Sequence, residues 1–327
     1  MKKVLTAILA VVALLACNNE HTPNGVQYPI VFGTSDTRAG LVDIQNYGFG
    51  VWTYIGNSEL QNYLLMENVH VEYEGGEWVY SPVKYWLDNT EFSFIGVYPY
   101  DENSSYFTTD AENAAVKLTV SDTPSTVDFL IAENVTDTSD EGYSKTVSLP
   151  FQHVLTSVGL NIWRDQAKHT NDQMRIKKVT LGNIRKSGAY STAPGAWTYT
   201  TDKLTKEYTN SNLSDTDNIG AATMDNGTLE TGGTPASPFE TMMLLPQTLD
   251  DSNVVSLKIV YELKRQNAAD WEEAELETSL PSITWNAGQR YTYNVVLSSV
   301  TDITVYYIQT KVDPWGTPQV GGTVIIK

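Results

Sequence analysis

The single cysteine of the sequence, Cys17, stands where thiol chemistry has a well-defined use. Two lysines and an apolar run over residues 4–16 precede it, and the run is shorter than the roughly 20 residues that a membrane-spanning helix needs. The run ends in the letters LLAC, which have the form of a lipobox, where a signal peptidase cuts before a cysteine that carries a diacylglycerol thioether. The residues therefore predict a lipoprotein signal peptide over residues 1–17, with lipid attached at Cys17. An ordinary signal peptide with a chance cysteine is the alternative.

The lone cysteine also excludes a disulfide within one chain, although an exported protein meets an oxidising compartment. Stability must therefore come from the hydrophobic core. A chain of 327 residues can readily supply one, and this length favours two domains. Residues 18–26 are polar and turn-forming, which is typical of a flexible tether between a lipid and a folded domain.

The sequence is strongly acidic, with a formal net charge of −18. The segment up to Arg38 holds three basic and two acidic residues, so a product that begins at Ala39 carries −19. Such a charge disfavours nucleic acid and anionic membrane surfaces as partners. No second apolar run reaches membrane-spanning length, so any membrane attachment is expected to pass through the lipid on Cys17.

Catalytic and metal-binding patterns are missing from the sequence. The histidines do not stand at metal-ligand spacing from one another or from the cysteine, and each is expected to be a surface or hydrogen-bonded residue. There is no G-x-S-x-G motif and no glycine loop for a nucleotide. We therefore expect no catalytic residue, no cofactor and no metal ligand. The four histidines are His21, His70, His153 and His169.

Two weaker interpretations stay open. The acidic stretch 137–142 matches the first positions of an EF-hand calcium loop, but position 12 is Ser148, where a bidentate glutamate is required. A solvated acidic loop is the competing and stronger interpretation. Paired carboxylates for glycoside hydrolysis form in space, and nothing in the sequence singles out two of the 39 acidic residues. The residues that match the calcium loop are Asp137, Ser139, Glu141 and Gly142.

Period-two alternation of apolar and polar residues recurs along the chain and predicts an all-β fold. In the first half, Val69, Val71 and Tyr73 alternate with polar residues and are followed by Gly75-Gly76, which predicts a tight β-hairpin. In the second half, residues 255–263 show the longest clean alternation. Many such strands separated by Gly, Asn, Asp and Pro turns indicate β-sandwiches.

Three polar segments interrupt this pattern. Residues 205–238 are expected to be a long loop, and residues 264–276 are charged and could hold a short helix. The acidic stretch 133–146 is expected to separate two domains, because a new series of strands begins at Val147. The predicted N-terminal sandwich covers residues 39–143 and the predicted C-terminal sandwich covers residues 144–327.

Six short motifs, in order along the chain, resemble the fimbrillin family of type V pilins, which are made as lipoproteins. The most specific motif is LPFQHVLTSVGLNI at residues 149–162, where Phe151 and His153 precede an alternating strand. Together the motifs span nearly all of the chain. The other motifs are IVF and TRA within residues 30–39, FSFIGVYPY at 92–100, VDFLIAE at 127–133, LLPQTL at 244–249 and WNAGQRYTYNVVL at 285–297.

The resemblance implies two tandem transthyretin-like β-sandwiches in a structural subunit of a pilus. It also implies that an Arg-specific protease cuts between Arg38 and Ala39 and removes the first strand, at about residues 26–32. Residues 18–38 are thus expected to form a tether and a removable strand. The opened groove would accept a strand from a neighbouring subunit, because unpaired edge groups and apolar pockets bind an extended segment. An uncut Arg38 in an exposed loop is the alternative.

The expected donor is the C-terminal tail, because a free chain end can leave its own sheet. A permanently docked last strand is the alternative. The expected partners are other pilin subunits, the outer membrane through the lipid, and a host or bacterial surface ligand. The expected location is the cell surface, as an outer-membrane lipoprotein precursor and then in the fimbrium, where the protein would serve cell adhesion. The candidate donor residues are Val320, Val324, Ile325 and Ile326.

Three other functions remain as alternatives. A tip, anchor or accessory subunit would bind in a pilus without being cut, and it would keep its lipid and an intact Arg38. A monomeric surface lipoprotein that binds glycans would present an exposed row of Trp and Tyr side chains. An enzyme would need a cleft with two converging carboxylates of perturbed pKa.

Overall fold

The computed structural model describes residues 28–34, 41–56, 62–103, 105–125, 127–139, 145–209, 218–225, 228–298, 303–311 and 324–325. Regular structure in these residues is almost entirely β, and the helix α1 (Leu41–Tyr47) is a short exception. The predicted all-β fold is confirmed.

Ten strands come from the first half of the sequence. They are β1 (Val31–Thr34), β2 (Phe49–Gly56), β3 (Tyr63–Glu74), β4 (Glu77–Tyr80), β5 (Thr90–Tyr98), β6 (Phe107–Asp110), β7 (Ala115–Val120), β8 (Leu130–Ser139), β9 (Thr146–Leu149) and β10 (Gln152–His153).

Fifteen strands follow in the second half. They are β11 (Thr156–Asp165), β12 (Gln173–Arg185), β13 (Gly188–Ser191), β14 (Ala196–Tyr199), β15 (Lys203–Thr209), β16 (Ala221–Asp225), β17 (Thr228–Gly232), β18 (Ala236–Leu244), β19 (Gln247–Leu249), β20 (Ser256–Lys264), β21 (Glu272–Ser279), β22 (Ile283–Trp285), β23 (Gln289–Leu297), β24 (Ile303–Lys311) and β25 (Val324–Ile325).

The N-terminal part is built around a six-stranded sheet in the order β10-β8-β5-β2-β3-β4. Both faces of this sheet are apolar, and the central strand β2 is buried at seven of its eight positions. Trp52 and Tyr54 face a four-stranded sheet, β14-β13-β7-β6, and share a core with Phe107 and Leu118. The opposite face is covered by a thin layer in which β1 pairs with β9. The helix α1 packs on the same face through Ile44. The sheet is therefore the middle of three layers.

The C-terminal part is a two-layer sandwich with one large core. A seven-stranded sheet, β17-β16-β11-β23-β24-β25 with β18 also paired to β11, faces a four-stranded sheet, β15-β12-β20-β21. A small two-stranded sheet, β19-β22, also contributes to this core. Leu257, Ile259, Tyr261 and Leu263 of β20 are buried in alternation with partly exposed neighbours, as the sequence predicts.

Several local predictions can be compared with the structure. The hairpin β3–β4 is confirmed, and Gly75 and Gly76 occupy its turn with φ angles of 61° and 96°, which a side chain would disfavour. The expected long loop over residues 205–238 is wrong, because β16 and β17 pair as a hairpin inside it. The possible helix within residues 264–276 is also wrong. Its acidic end begins the edge strand β21, where glutamates face solvent and Leu276 points inward.

Strand pairing crosses the predicted division at residues 143 and 144. The strand β9, which follows that point, pairs in parallel with β1, and β10 pairs with β8. The hairpin β13–β14, from well inside the second half of the sequence, adds to the edge of the first-half strand β7. The division into residues 39–143 and 144–327 stays a prediction. The sheets themselves share strands across it.

Candidate functional site

The segment Tyr28–Thr34 lies in the middle of its layer, with backbone partners on both sides. On one side, Ile30 N donates to Lys84 O at 2.9 Å and Trp86 N donates to Tyr28 O at 3.0 Å. On the other side, β1 runs parallel to β9, with register pairs from Val31 to Thr34. The structure describes the predicted first strand from residue 28 onward; this part has backbone partners on both sides, and β1 itself covers Val31–Thr34.

The side chains of this segment alternate between the core and the solvent. Ile30 and Phe32 are 1% and 3% exposed, whereas Val31 between them is 44% exposed. Pro29 is exposed and forms an antiparallel bridge to Tyr85. Two inward side chains thus anchor the segment, and burying each contributes roughly 1.5–3 kcal/mol of transfer free energy.

An aromatic box surrounds the larger of the two anchors, Phe32. The ring centroid of Phe32 lies 6.4 Å from that of Phe49, 5.4 Å from Tyr80 and 5.9 Å from Phe94. All three contacts have edge-to-face geometry, the arrangement that the quadrupoles of aromatic rings favour. The box residues come from β2, β4 and β5, so the six-stranded sheet supplies the floor on which the first strand rests.

Tyr80 also fastens the first strand through its hydroxyl. The hydroxyl donates to Ile30 O at 2.9 Å and accepts a hydrogen bond from Lys84 N at 3.2 Å. Burial raises the pKa of Tyr80 above its ordinary value of 10.0, so the hydroxyl keeps its proton through the physiological range. One side chain therefore joins the first strand, the neighbouring segment and the aromatic box.

The motif LPFQH packs against the same sheet face because Gly96 leaves room for it. A Cβ atom at Gly96 would lie 2.8 Å from Phe151 Cζ and 3.0 Å from Leu149 Cδ1. Phe151 in turn meets Phe49, with ring centroids 5.2 Å apart. Two motifs that are distant in the sequence, FSFIGVYPY and LPFQH, are therefore complementary in space.

The described histidines are hydrogen-bonded or partly exposed. His153 Nδ1 lies 2.8 Å from Asp128 Oδ2, which ties β10 to the segment before β8. His169 Nδ1 lies 2.9 Å from Asp172 Oδ2. His70 stacks on Tyr100 at a centroid distance of 3.9 Å. Among the described residues, no group of three His, Cys, Asp or Glu side chains is placed to hold a metal ion.

The structure brings together only part of the predicted site. Cys17, Arg38, Ala39, Val320 and Ile326 lie outside the described residues, as does His21. The backbone of Val324 and Ile325 forms β25, which pairs with Tyr307 and Tyr306 of β24. Within the described ranges, no helix is long and apolar enough to cross a membrane.

The calcium-loop interpretation conflicts with the backbone of β8. Asp137 pairs with Phe92 and Ser139 pairs with Thr90, so both residues belong to an extended strand. An EF-hand loop needs a compact turn at these positions. Glu141 and Gly142 lie outside the described residues.

Two features of the site that holds the first strand were not predicted from the sequence. They are the hydrogen bonds of the Tyr80 hydroxyl and the segment Lys84–Trp86. The segment follows Pro82 and exposes Val83 and Tyr85 while Trp86 is buried. This brief alternation after a proline was the available signal, because proline is tolerated at the start of an edge strand.

Comparison with known proteins agrees with this architecture. The sequence profile of a family described as "Fimbrillin-like" matches residues 37–315. A fimbrial protein from Bacteroides vulgatus has a similar structure, with a TM-score of 0.68, 17% sequence identity, and coverage of 88% of this chain and 99% of that one. A protein described as a cell adhesion candidate from Bacteroides uniformis matches with a TM-score of 0.49, 17% identity, and coverage of 88% and 98%. No curated protein matches the sequence significantly.

Proposed function

This chain belongs to the fimbrillin-like family, and from that premise we propose that it is a structural subunit of a cell-surface pilus that serves adhesion. One observation carries the proposal. The first strand is held in the middle of a layer, over an aromatic box, and the segment that contains Arg38 follows it directly. A single cut there would separate an internal strand from the rest of the chain.

The cut would remove the first strand from its layer and leave a groove that can bind an extended segment of another molecule. Loss of residues up to Arg38 would remove Ile30 N and Tyr28 O, the backbone groups hydrogen-bonded to Lys84 O and Trp86 N, and it would remove the parallel neighbour of β9. It would also uncover the apolar sites of Ile30 and Phe32. Unpaired strand groups beside apolar pockets bind an extended segment by strand addition.

The C-terminal tail is the proposed donor. Val320, Val324 and Ile326 stand at even positions of the tail, so an extended tail would present them on one face. In the resting subunit, β25 is only two residues long and pairs with β24 alone among the described strands. Such a contact, made from the end of one subunit to the groove of the next, does not close on itself and would build a filament.

The remaining features of the proposal concern export and architecture. The chain would be exported with lipid on Cys17 and held at the outer membrane until cleavage. Its partners would be other pilin subunits and a host or bacterial surface ligand. The two tandem transthyretin-like sandwiches, with a division near residue 143, belong to the same proposal.

Controlled cleavage tests this function. Protein comprising residues 18–327 is treated with a trace of an Arg-specific protease, the new N-terminus is read by mass spectrometry, and oligomers are followed in mild denaturant. We expect a cut before Ala39 followed by a ladder of oligomers. Arg38→Lys is the matched control, because it keeps the charge and removes the cleavage site; it should stay uncut and monomeric.

Two results would count against strand-exchange polymerisation. If Arg38 resists the protease in the folded protein, an uncut tip or anchor subunit becomes the better assignment. If the cut occurs and the product stays monomeric, the groove does not accept the tail of a second copy under these conditions.

A further inference from the structure

The anchor pocket of the groove is shaped for an aromatic ring. Phe32 fills it with 3% exposure and touches rings on three sides. The floor behind Phe94 is aromatic as well, since Trp86 and Phe92 pack on it at 5.7 and 5.9 Å. Ile30, two residues before, is the second buried side chain of this strand and belongs to the same core. The groove thus holds one aromatic side chain, that of Phe32, and one branched aliphatic side chain, that of Ile30.

The tail of a second copy does not match this pair of pockets. Residues 320–327 read VGGTVIIK and contain no aromatic side chain. If the tail enters in the direction of the first strand, Ile326 falls at the position of Phe32; in the reverse direction, Val324 does. Either residue is smaller than phenylalanine and has no ring edge, so in both directions the box keeps unfilled space and loses its edge-to-face contacts.

Other aromatic segments near the C-terminus are less suitable donors. Tyr306 and Tyr307 lie in β24, which is paired with β23 at nine positions and would have to be torn from the sheet. Trp315 lies between Pro314 and Pro318, and the positions two residues away are Asp313 and Thr317, neither of them aliphatic.

We propose that this groove selects a donor strand with an aromatic side chain at the position of Phe32 and a branched aliphatic one two residues away. The tail of a second copy, the donor proposed above, would then bind this groove more weakly than an extended segment of a non-identical subunit that carries this pair of side chains. The inference rests on the proposed strand-acceptor function. It also means that the chain's own first strand fits the groove better than the tail of a second copy does. The uncut protein would therefore not bind other copies of itself through this groove.

A peptide-exchange experiment tests the selection without altering the core. Residues 35–40 are replaced by the recognition sequence of a site-specific protease, so that the first strand can be separated whether or not Arg38 is a natural site. The cut protein is mixed with a fluorescent first-strand peptide, residues 26–34. Four unlabelled competitors are compared: that same peptide, the tail peptide 319–327, and the tail peptide with Val324→Phe or with Ile326→Phe.

We expect the first-strand peptide and one of the two aromatic tail peptides to compete at concentrations at least about tenfold lower than the wild-type tail. The aromatic tail peptide that competes at the lower concentration shows in which direction the donor strand enters the groove. Phe94→Leu in the protein keeps an apolar floor but removes a ring, and it should shrink this preference.

The outcomes separate the inference from the function on which it rests. Equal competition by the wild-type and aromatic tails would overturn the selection while leaving the groove as a strand acceptor. Failure of every peptide, including the first-strand peptide, would overturn both, because the cut groove would then accept no strand.

Discussion

The first and last described segments of the chain are held in opposite ways. Tyr28–Thr34 lies between two partners and buries Ile30 and Phe32 in a core. Val324–Ile325 lies at the rim of the seven-stranded sheet and pairs with β24 alone among the described strands. Under the proposed cleavage, loss of the first segment would uncover the sites of Ile30 and Phe32, whereas loss of the last would expose the edge of β24. In the proposed strand exchange, the first segment would therefore be the one that is replaced, and the C-terminal tail would be the one that leaves its sheet.

The largest effect is expected from Phe32→Ala. Truncating this buried ring leaves a cavity inside the aromatic box and should lower the free energy of unfolding by about 3–5 kcal/mol. Chemical denaturation followed by tryptophan fluorescence measures it. Val31→Ala, one residue away on the exposed face, is the matched control and should change stability by less than about 0.5 kcal/mol. Similar losses in both variants would mean that the segment is not anchored as described.

A smaller effect is expected from Tyr80→Phe. The substitution keeps the ring in the box and removes the hydroxyl that donates to Ile30 O, so the free energy of unfolding should fall by about 1–2 kcal/mol. Tyr85→Phe alters a tyrosine that is 37% exposed on the neighbouring segment and should be nearly neutral. An equal loss in the two variants would contradict the claim that the Tyr80 hydroxyl holds the first strand.

The same pair of variants can be compared at alkaline pH. Because burial raises the pKa of Tyr80 in the folded state, its contribution is complete below the ordinary value of 10.0 and is lost as pH rises towards the folded pKa. Stability should therefore decline above about pH 10. The decline should be less steep in Tyr80→Phe than in Tyr85→Phe, and identical slopes would show that Tyr80 does not titrate as described.

The smallest effect is expected from deleting residues 312–327. The two-residue strand β25 is lost, and stability should change by less than about 1 kcal/mol, because only two described register pairs join it to β24. The cut protein should at the same time lose assembly with copies of itself. A loss of stability comparable to that of Phe32→Ala would show that the tail is an integral part of the sandwich and cannot serve as a free donor.

Strands with one buried face were predictable from local pattern alone. The alternation in β20 and the Gly75-Gly76 turn depend only on residues close together in the sequence, and the structure confirms both. The hairpin β16–β17 was not recognised, because its short strands are rich in Thr, Gly and acidic residues. Pairing with a neighbour, rather than local propensity, determines strands of this kind.

The candidate site was predictable only in outline. The apolar triplet at residues 30–32 marked the first strand, and the resemblance to fimbrillins marked it as removable. The aromatic box joins Phe32, Phe49, Tyr80 and Phe94, which are spread over more than sixty positions. No periodicity links such residues, because their contact depends on the order of strands in the sheet.

The hairpin β13–β14 has a mechanical consequence. Its residues 188–191 are paired with residues 117–120 of β7, and the Tyr190 hydroxyl donates to the Glu133 carboxylate across the predicted division of the chain. A pull on the two ends of the molecule would therefore have to break a shared sheet before it could straighten the chain around residue 143. Under tensile load, such a subunit would respond as one stiff unit and would not extend as two independent domains joined by a flexible linker.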